Sequence, residues 1–151
     1  MVSALNIDLP VIKGDPSYPK CNVAQYLDAD FFVHPGRPGS TYIYGHARKG
    51  MFLPLLTQSQ INDGAAMIGM TVRVYTKDLK VHVYEIFRVK RHATDFSLAL
   101  NLKPGEHRLI MQTSEGPRGT IPKLQVAARP TGVFSATAAQ ALPTPHPVSC
   151  N

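Results

Sequence analysis

The sequence predicts an all-β protein, built as a closed barrel or a sandwich. Several segments alternate apolar and polar residues, short turn sequences containing Gly, Pro and Asp separate them, and helical signals are weak. Repeated short strands at such spacing are typical of barrels and sandwiches. A length of 151 residues suggests one domain, and 44% apolar with 17% charged residues fits a soluble globular protein.

Six segments carry the strand pattern, and six or seven strands are expected. The first contains a proline and is therefore expected at a sheet edge or a strand start. In the third, Val72 and Val74 alternate with Arg73 and Tyr75, which predicts one apolar face. In chain order the segments are LNIDLPVI, STYIYGHA, MTVRVYT, KVHVYEIFRVKRH, HRLIMQT and KLQVAARP.

Helices are expected to be few and short. The stretch CNVAQYLDADFF predicts one or two turns, capped by Asn22 or Asp28. The stretch MFLPLLTQSQIND predicts a short turn broken by Pro54, and DFSLALNL predicts another.

The composition changes near Thr131, where Ala, Thr, Ser and Pro replace most charged residues. We therefore predict a β-barrel domain over residues 1–130 and a flexible Ala/Pro-rich tail over residues 131–151. Two cysteines, Cys21 and Cys150, do not make a disulfide scaffold. The sequence contains no apolar run long enough to span a membrane and no visible signal peptide, and it leaves an upstream anchor open.

The formal net charge is +6, and the densest basic stretch is RVKRH, Arg88 to His92. Such a stretch favours anionic partners, or it protects a solvated strand edge against aggregation. A nucleic-acid-binding barrel is the competing class, and it requires aromatic residues interleaved with Lys and Arg. Only VHVYEIFRVKRH hints at that pattern, so no nucleic-acid partner is predicted.

Two stretches carry candidate chemistry. In HRLIMQTSEGP an apolar run ends at Ser114 beside a Glu-Gly-Pro turn, where a nucleophile or an ordinary strand end would both fit. In YIYGHARKGMF, Gly45 permits a close backbone approach just before His46. A single histidine at a strand end is more often structural than catalytic. Neither stretch alone therefore indicates a catalytic site, and the two must be considered together.

Five segments, in order and spacing, resemble the sortases, the cysteine transpeptidases of bacterial cell surfaces. The resemblance covers Leu5 to Pro130. HPGRPGSTYIYGHARKGMFLPLL is similar to the family's Gly-His segment, HRLIMQTS resembles its Thr-Leu-x-Thr-Cys strand, and KLQVAARP resembles the closing strand that begins with the catalytic arginine. LNIDLPVI and GMTVRVYT resemble the first strand and the strand after a Gly-Asp turn.

This resemblance implies a closed sortase-like β-barrel of seven to eight strands with one or two short helices. It implies cleavage of a sorting-signal peptide of the type Leu-Pro-x-Thr-Gly between Thr and Gly, and transfer of the acyl group to an amine of the cell wall or a pilin. The implied location is the extracellular face of the bacterial membrane or the cell surface, with membrane contact only through an anchor absent from this chain.

The resemblance also assigns the site. His46 becomes the acid and base, Ser114 takes the position of the nucleophilic cysteine, and Lys123 or Arg118 becomes the cation for the oxyanion and the substrate. No cofactor is implied. Because no His, Cys, Asp or Glu pair has metal-ligand spacing in the sequence, no metal site is predicted.

Serine at position 114 departs from the family pattern. The pKa of a cysteine thiol is low enough for a neighbouring imidazolium to hold it as the thiolate. A serine hydroxyl is a much weaker acid and needs a base, which is normally oriented by a carboxylate. The sequence cannot place Asp30, Asp63, Asp95 or Glu115 in that role. A simple Cys→Ser exchange in a site built for thiolate is therefore expected to remove most activity.

Three interpretations of Ser114 stay open. It is an engineered replacement of a catalytic cysteine, a natural serine in a divergent hydrolase or acyl transferase, or a natural loss that leaves a catalytically inactive peptide-binding module. His82 and His92, on or near a strand, are expected to face solvent.

Overall fold

The computed structural model describes residues 1–15, 18–116 and 121–150. Within these residues, seven strands form one sheet in the order β1-β2-β3-β6-β7-β5-β4, and the sheet curls into a half-barrel. The strands are β1 (Val11–Lys13), β2 (Ala24–Tyr26), β3 (Gly39–Tyr44), β4 (Thr71–Thr76), β5 (Lys80–Ala93), β6 (His107–Ser114) and β7 (Lys123–Ser135). The predicted all-β, barrel-like fold is confirmed, with β1 and β4 at the two ends of the sheet.

The central strands determine where the candidate site lies. β3 and β6 run parallel, with Tyr44 paired to Gln112, and β7 runs antiparallel to both β6 and β5. The carboxyl ends of β3 and β6 and the beginning of β7 therefore meet at one edge of the sheet.

Apolar residues cover both faces of the central strands. In β6, Leu109 and Met111 point into the larger core cluster, while Ile110 joins a second cluster on the opposite face. Leu98, from the helix that follows β5, packs in that second cluster. Because successive strand residues point to opposite faces, this double burial explains why β6 is a continuous apolar run rather than an alternating one.

In the part of the chain that the structure describes, three short α-helices accompany the sheet: α1 (Leu53–Ser59), α2 (Ser97–Leu100) and α3 (Ala138–Ala141). The same described ranges contain two 3₁₀ segments, Ser3–Leu5 and Asn62–Met67. Pro54 lies in the first turn of α1, so it begins this helix instead of breaking it. Proline suits the first turn because the N–H that it lacks would have no partner within the helix. The helix expected in DFSLALNL is present as α2.

The helix expected in CNVAQYLDADFF is wrong. Asn22 adopts a left-handed conformation with φ of 66°, and residues 24–26 then form β2 between β1 and β3. Pairing with two neighbouring strands outweighs a weak helical propensity, as tertiary context often does.

The C-terminal residues return along the sheet. β7 continues to Ser135, where it pairs with Lys80 at the beginning of β5. Residues 136–150, here called the C-terminal strap, include α3 and reach back to Cys21, which is joined to Cys150 by a disulfide. The domain boundary at residue 130 and the flexibility of the tail stay predictions. None of the helices in the described residues has the length and apolar character needed to cross a membrane.

The strap crosses the side of the half-barrel between its two end strands. A cavity of about 1420 Å³ lies there, and its lining includes Val11 of β1, Val74 of β4 and Leu142 of the strap. The strap therefore covers the gap between β1 and β4, here called the seam, where these two end strands do not pair with each other.

Candidate active site

His46 and Ser114 occupy equivalent positions relative to the parallel pairing of β3 with β6. His46 lies two residues beyond Tyr44, and Ser114 lies two residues beyond Gln112, the partner of Tyr44. The Gly45 N–H donates to the Gln112 carbonyl at 3.1 Å, and the Thr113 hydroxyl donates to the Gly45 carbonyl at 2.8 Å. The backbone just before His46 is thus fastened to the strand that ends at Ser114.

Gly45 lies close to an aromatic ring. A Cβ at this position would lie 3.3 Å from the Phe52 ring, which packs against the chain just before His46. Phe52 immediately precedes α1, and its N–H donates to the His46 carbonyl at 3.0 Å. The Gly-His pair and the apolar residues after it therefore form one packed unit.

Lys123 lies beside Ser114. The two residues are register partners, and the Lys123 ammonium donates to the Ser114 hydroxyl oxygen over a long 3.4 Å. An ammonium this close to a hydroxyl is a donor of the kind that can stabilise negative charge nearby. Arg118, the other candidate cation, lies outside the described residues.

A polar network lies two residues further into the sheet from this pair, along β6 and β7. Because strand side chains alternate, Gln112 shares a face with Ser114, and Gln125 shares a face with Lys123. The Gln125 amide donates to the Tyr42 hydroxyl at 3.0 Å, and that hydroxyl donates to the Gln112 side chain. Burial raises the pKa of Tyr42, which keeps its hydroxyl protonated as a donor. Sequence reasoning missed this network, although each glutamine interrupts an apolar run.

His46 is held by a backbone carbonyl. Its side chain is mostly buried, with 9% of the residue exposed, and its Nε2 lies 2.6 Å from the Pro19 carbonyl oxygen. The Tyr18 ring lies against it, with centroids 4.8 Å apart. A carbonyl oxygen only accepts, so Nε2 carries a proton, and in the neutral ring Nδ1 is then the acceptor. We assign the tautomer from this partner.

Three of the four candidate carboxylates contact basic side chains other than His46. These pairs are Asp63 with Arg91 at 3.0 Å, Asp95 with Lys90 at 3.7 Å, and Glu115 with His92 at 2.8 Å. The partner that the structure gives to His46 Nε2 is therefore a carbonyl, not a carboxylate.

One of the two histidines expected in solvent is buried. His92 has a side chain that is 68% exposed, in agreement with the expectation. His82 is only 8% exposed, because it lies on β5 between β4 and β7, so the expectation was wrong there. Burial lowers the pKa of His82, since the charged imidazolium loses its hydration.

The two cysteines meet next to His46. Their Cα atoms are 5.4 Å apart across the disulfide, and both sulfurs and a His46 ring nitrogen lie within 4.8 Å of one another. In the described part of the chain this trio is the one cluster with metal-ligand spacing, but sulfurs joined to each other are not thiolate ligands. Sequence spacing could not reveal the cluster, because 129 positions separate the cysteines.

Comparison with known proteins settles the family. A family model for the sortase domain matches residues 1–130. The chain belongs to the sortase family. Sortases are transpeptidases that act at the bacterial cell surface, and the predicted membership is confirmed. Among curated proteins, no sequence matches this one.

Solved sortases share the fold at low sequence identity. Sortase A of Listeria monocytogenes has a TM-score of 0.71 at 17% identity, over 95% of this chain and 94% of that one. The sortase SrtA of Actinomyces oris has a TM-score of 0.66 at 15% identity, over 88% and 76%. A lid mutant of sortase A from Corynebacterium diphtheriae has 0.68 at 14% identity, over 87% and 67%.

Proposed function

We propose that this domain transfers a peptidyl group from a sorting-signal peptide to an amine of the cell wall or a pilin, through His46, Ser114 and Lys123. The observation that supports it is the meeting of the ends of β3 and β6 with the beginning of β7 at one sheet edge. β6 ends with Ser114 and β7 begins with Lys123, while His46 follows the end of β3 by two residues.

The proposed reaction has two steps. The Ser114 hydroxyl oxygen attacks the carbonyl carbon of the scissile peptide bond while its proton passes to Nδ1 of His46. The resulting oxyanion faces the Lys123 ammonium, the C–N bond breaks, and His46 returns the proton to the leaving amine. An acceptor amine then attacks the Ser114 ester, loses a proton through His46, and releases the new amide with the serine hydroxyl restored.

Pro19 supports the serine form of this reaction. A serine nucleophile needs a histidine base that is held in one orientation. In other enzymes a carboxylate bound to the second ring nitrogen provides that orientation. The Pro19 carbonyl takes that position on His46, and it directs the basic nitrogen without adding charge. The sequence alone favours an inactivated site, because it shows no orienting partner for the histidine.

A second candidate is a peptide-binding module that performs no chemistry. The observation that favours it is the burial of His46, whose exposed fraction is 9%. A base that is covered must be reached by substrate or uncovered before it can take a proton. Under this candidate, the sheet edge where β6 ends and β7 begins binds peptide, and Ser114 is one of its contacts.

The experiment compares the wild type with Ser114→Cys, Ser114→Ala and His46→Ala, on sorting peptides with and without an amine acceptor. We expect turnover by the wild type that depends on His46 and falls about a million-fold without the Ser114 hydroxyl. Turnover only in Ser114→Cys would identify an inactivated cysteine site. Peptide binding without turnover in either form would identify the binding module.

A further inference from the structure

We propose that the Cys21–Cys150 disulfide makes residues 18–21, here called the His46 brace, a positioning element that fixes the tautomer of His46. The catalytic consequence rests on the function proposed above, while the tautomer itself does not. The carbonyl of Pro19 in the brace accepts from Nε2 of His46, so the brace selects Nδ1 as the base.

The strap fastens one side of the brace. The Cys21 N–H donates to the Val148 carbonyl at 2.8 Å, and the Val148 N–H donates back at 3.2 Å. The disulfide to Cys150 follows two residues later in the strap, and the Cys150 sulfur lies 3.6 Å from the same Pro19 oxygen that holds His46. The carbonyl that orients the histidine is therefore in direct contact with the strap.

The sheet fastens the other side. The Lys20 N–H donates to the Gln25 side chain at 2.8 Å, and Gln25 is 2% exposed within β2. Pro19 comes directly before these two attached residues, and the backbone of the brace is irregular. Such a segment keeps a single conformation only when its contacts offset the entropy of ordering it, and the disulfide supplies a covalent contact.

Orientation matters because a neutral imidazole has two tautomers. A free histidine ring exchanges its proton between Nδ1 and Nε2, and only the bare nitrogen can accept the proton of Ser114. With the brace in place, moving the proton to Nδ1 would set the Nε2 lone pair against the Pro19 oxygen in a mostly buried site. This repulsion between two acceptors disfavours that tautomer.

The brace is reversible through thiol–disulfide exchange. A thiolate of an external dithiol attacks one cysteine sulfur, forms a mixed disulfide, and releases the other cysteine as a thiolate. The second thiol of the reductant then displaces the first cysteine. The protein gains two thiols, and the reductant leaves as its own disulfide. Reduction therefore frees the strap and loosens the brace without changing His46, Ser114 or Lys123.

The first test reads the tautomer directly. The ¹⁵N shifts of the His46 ring are recorded at about pH 8, where an ordinary histidine is neutral, in the oxidised protein, after in-situ addition of dithiothreitol, and in Cys150→Ser. We expect one tautomer, protonated at Nε2, when oxidised, and a mixture in the other two states. The ring of His107, at the opposite end of β6, serves as the unchanged control. Identical tautomer populations in all three states would overturn the proposal, and in-situ reduction decides the matter if Cys150→Ser does not fold.

The second test reads the catalytic consequence. Reduction should lower kcat about 10- to 100-fold, as expected for a misplaced base, with little change in KM and an altered pH profile. A merely structural disulfide would leave kcat and the pH profile of the folded, reduced protein unchanged, which would remove the catalytic part of the proposal. If neither redox state turns over peptide, the proposed function fails, while the tautomer measurement still decides whether the brace exists.

Discussion

At the residue scale, Lys123 stands where the family resemblance expects an arginine. Lysine is a point charge and cannot make the two parallel hydrogen bonds of a guanidinium. Its ammonium nevertheless lies beside the Ser114 hydroxyl, where an oxyanion would need it. Weaker peptide recognition than in an arginine-bearing site is the expected consequence.

This placement predicts the effect of removing the charge. Lys123→Ala should lower kcat about 100- to 1000-fold, the usual effect of losing one oxyanion donor, while Lys123→Arg should keep most activity. Lys77→Ala, in the turn after β4, is the matched control for loss of one positive charge. Steady-state kinetics on a sorting peptide give the measurement. An unchanged kcat in Lys123→Ala would transfer the role to Arg118.

Tyr84 provides a prediction about pH. Burial raises the pKa of Tyr84 to about 12, above the ordinary value near 10, because the phenolate would lose its hydration. The protonated form therefore stabilises the folded state fully below pH 10, and this contribution is lost as pH rises towards 12. We expect the free energy of unfolding to fall by about 1 kcal/mol between pH 9 and pH 11 from this group alone. Urea unfolding at both pH values measures it, and Tyr84→Phe should reduce the fall. An equal fall in both proteins would contradict the assignment.

The family resemblance allowed His46, Ser114 and Lys123 to be proposed from the sequence, and their roles stay predictions. The orienting group could not be proposed, because the Pro19 carbonyl is a backbone atom and carries no residue-type signature. The covalent link to the strap was equally hidden, since only the folded chain brings Cys21 and Cys150 together.

At the element scale, strand register is what brings the candidate site together. Alternating patterns predicted β4 and β5, because side chains on a half-buried strand repeat every two residues, while apolar runs predicted β6. β2 escaped prediction since its three residues are too few to show a period. Its existence depends on pairing with β1 and β3, which is a tertiary effect.

The glutamine network predicts how firmly β7 is attached near the site. Gln125 is 2% exposed, and its amide donates to the Tyr42 hydroxyl on β3 and to the Asp95 carbonyl after β5. Gln125→Leu leaves that carbonyl without its donor, so we expect a loss of about 1–3 kcal/mol in the free energy of unfolding. Chemical denaturation measures the loss. Thr131→Val, which removes a surface hydrogen bond of the same strand, should cost less, and equal costs would argue against a special role for the network.

At the scale of the whole molecule, both chain ends cover the seam between the end strands of the sheet. The terminal ammonium of Met1 donates to the Arg73 carbonyl on β4 at 2.8 Å, and the Arg73 N–H donates to the Met1 carbonyl at 2.9 Å. Burial lowers the pKa of that ammonium. The C-terminal strap completes the cover from the opposite direction and ends beside His46. The two termini thus contribute to a surface that β1 and β4 do not close by pairing with each other.

The disulfide should therefore stabilise the entire domain as well as the site. It links positions 129 residues apart, so it removes much of the freedom of the unfolded chain. The chain-entropy argument gives about 5 kcal/mol for a loop of this length, and measured values for disulfides are usually about 2–4 kcal/mol. We expect the double variant Cys21→Ser with Cys150→Ser, and the reduced wild type, to lose about 2–4 kcal/mol in urea unfolding. Hydrogen exchange should rise in residues 136–150 and 18–21 while the Gln112–Gln125 region stays protected. Unchanged stability after reduction would mean that the strap is held by its non-covalent contacts alone, and the brace would then have to act without the disulfide.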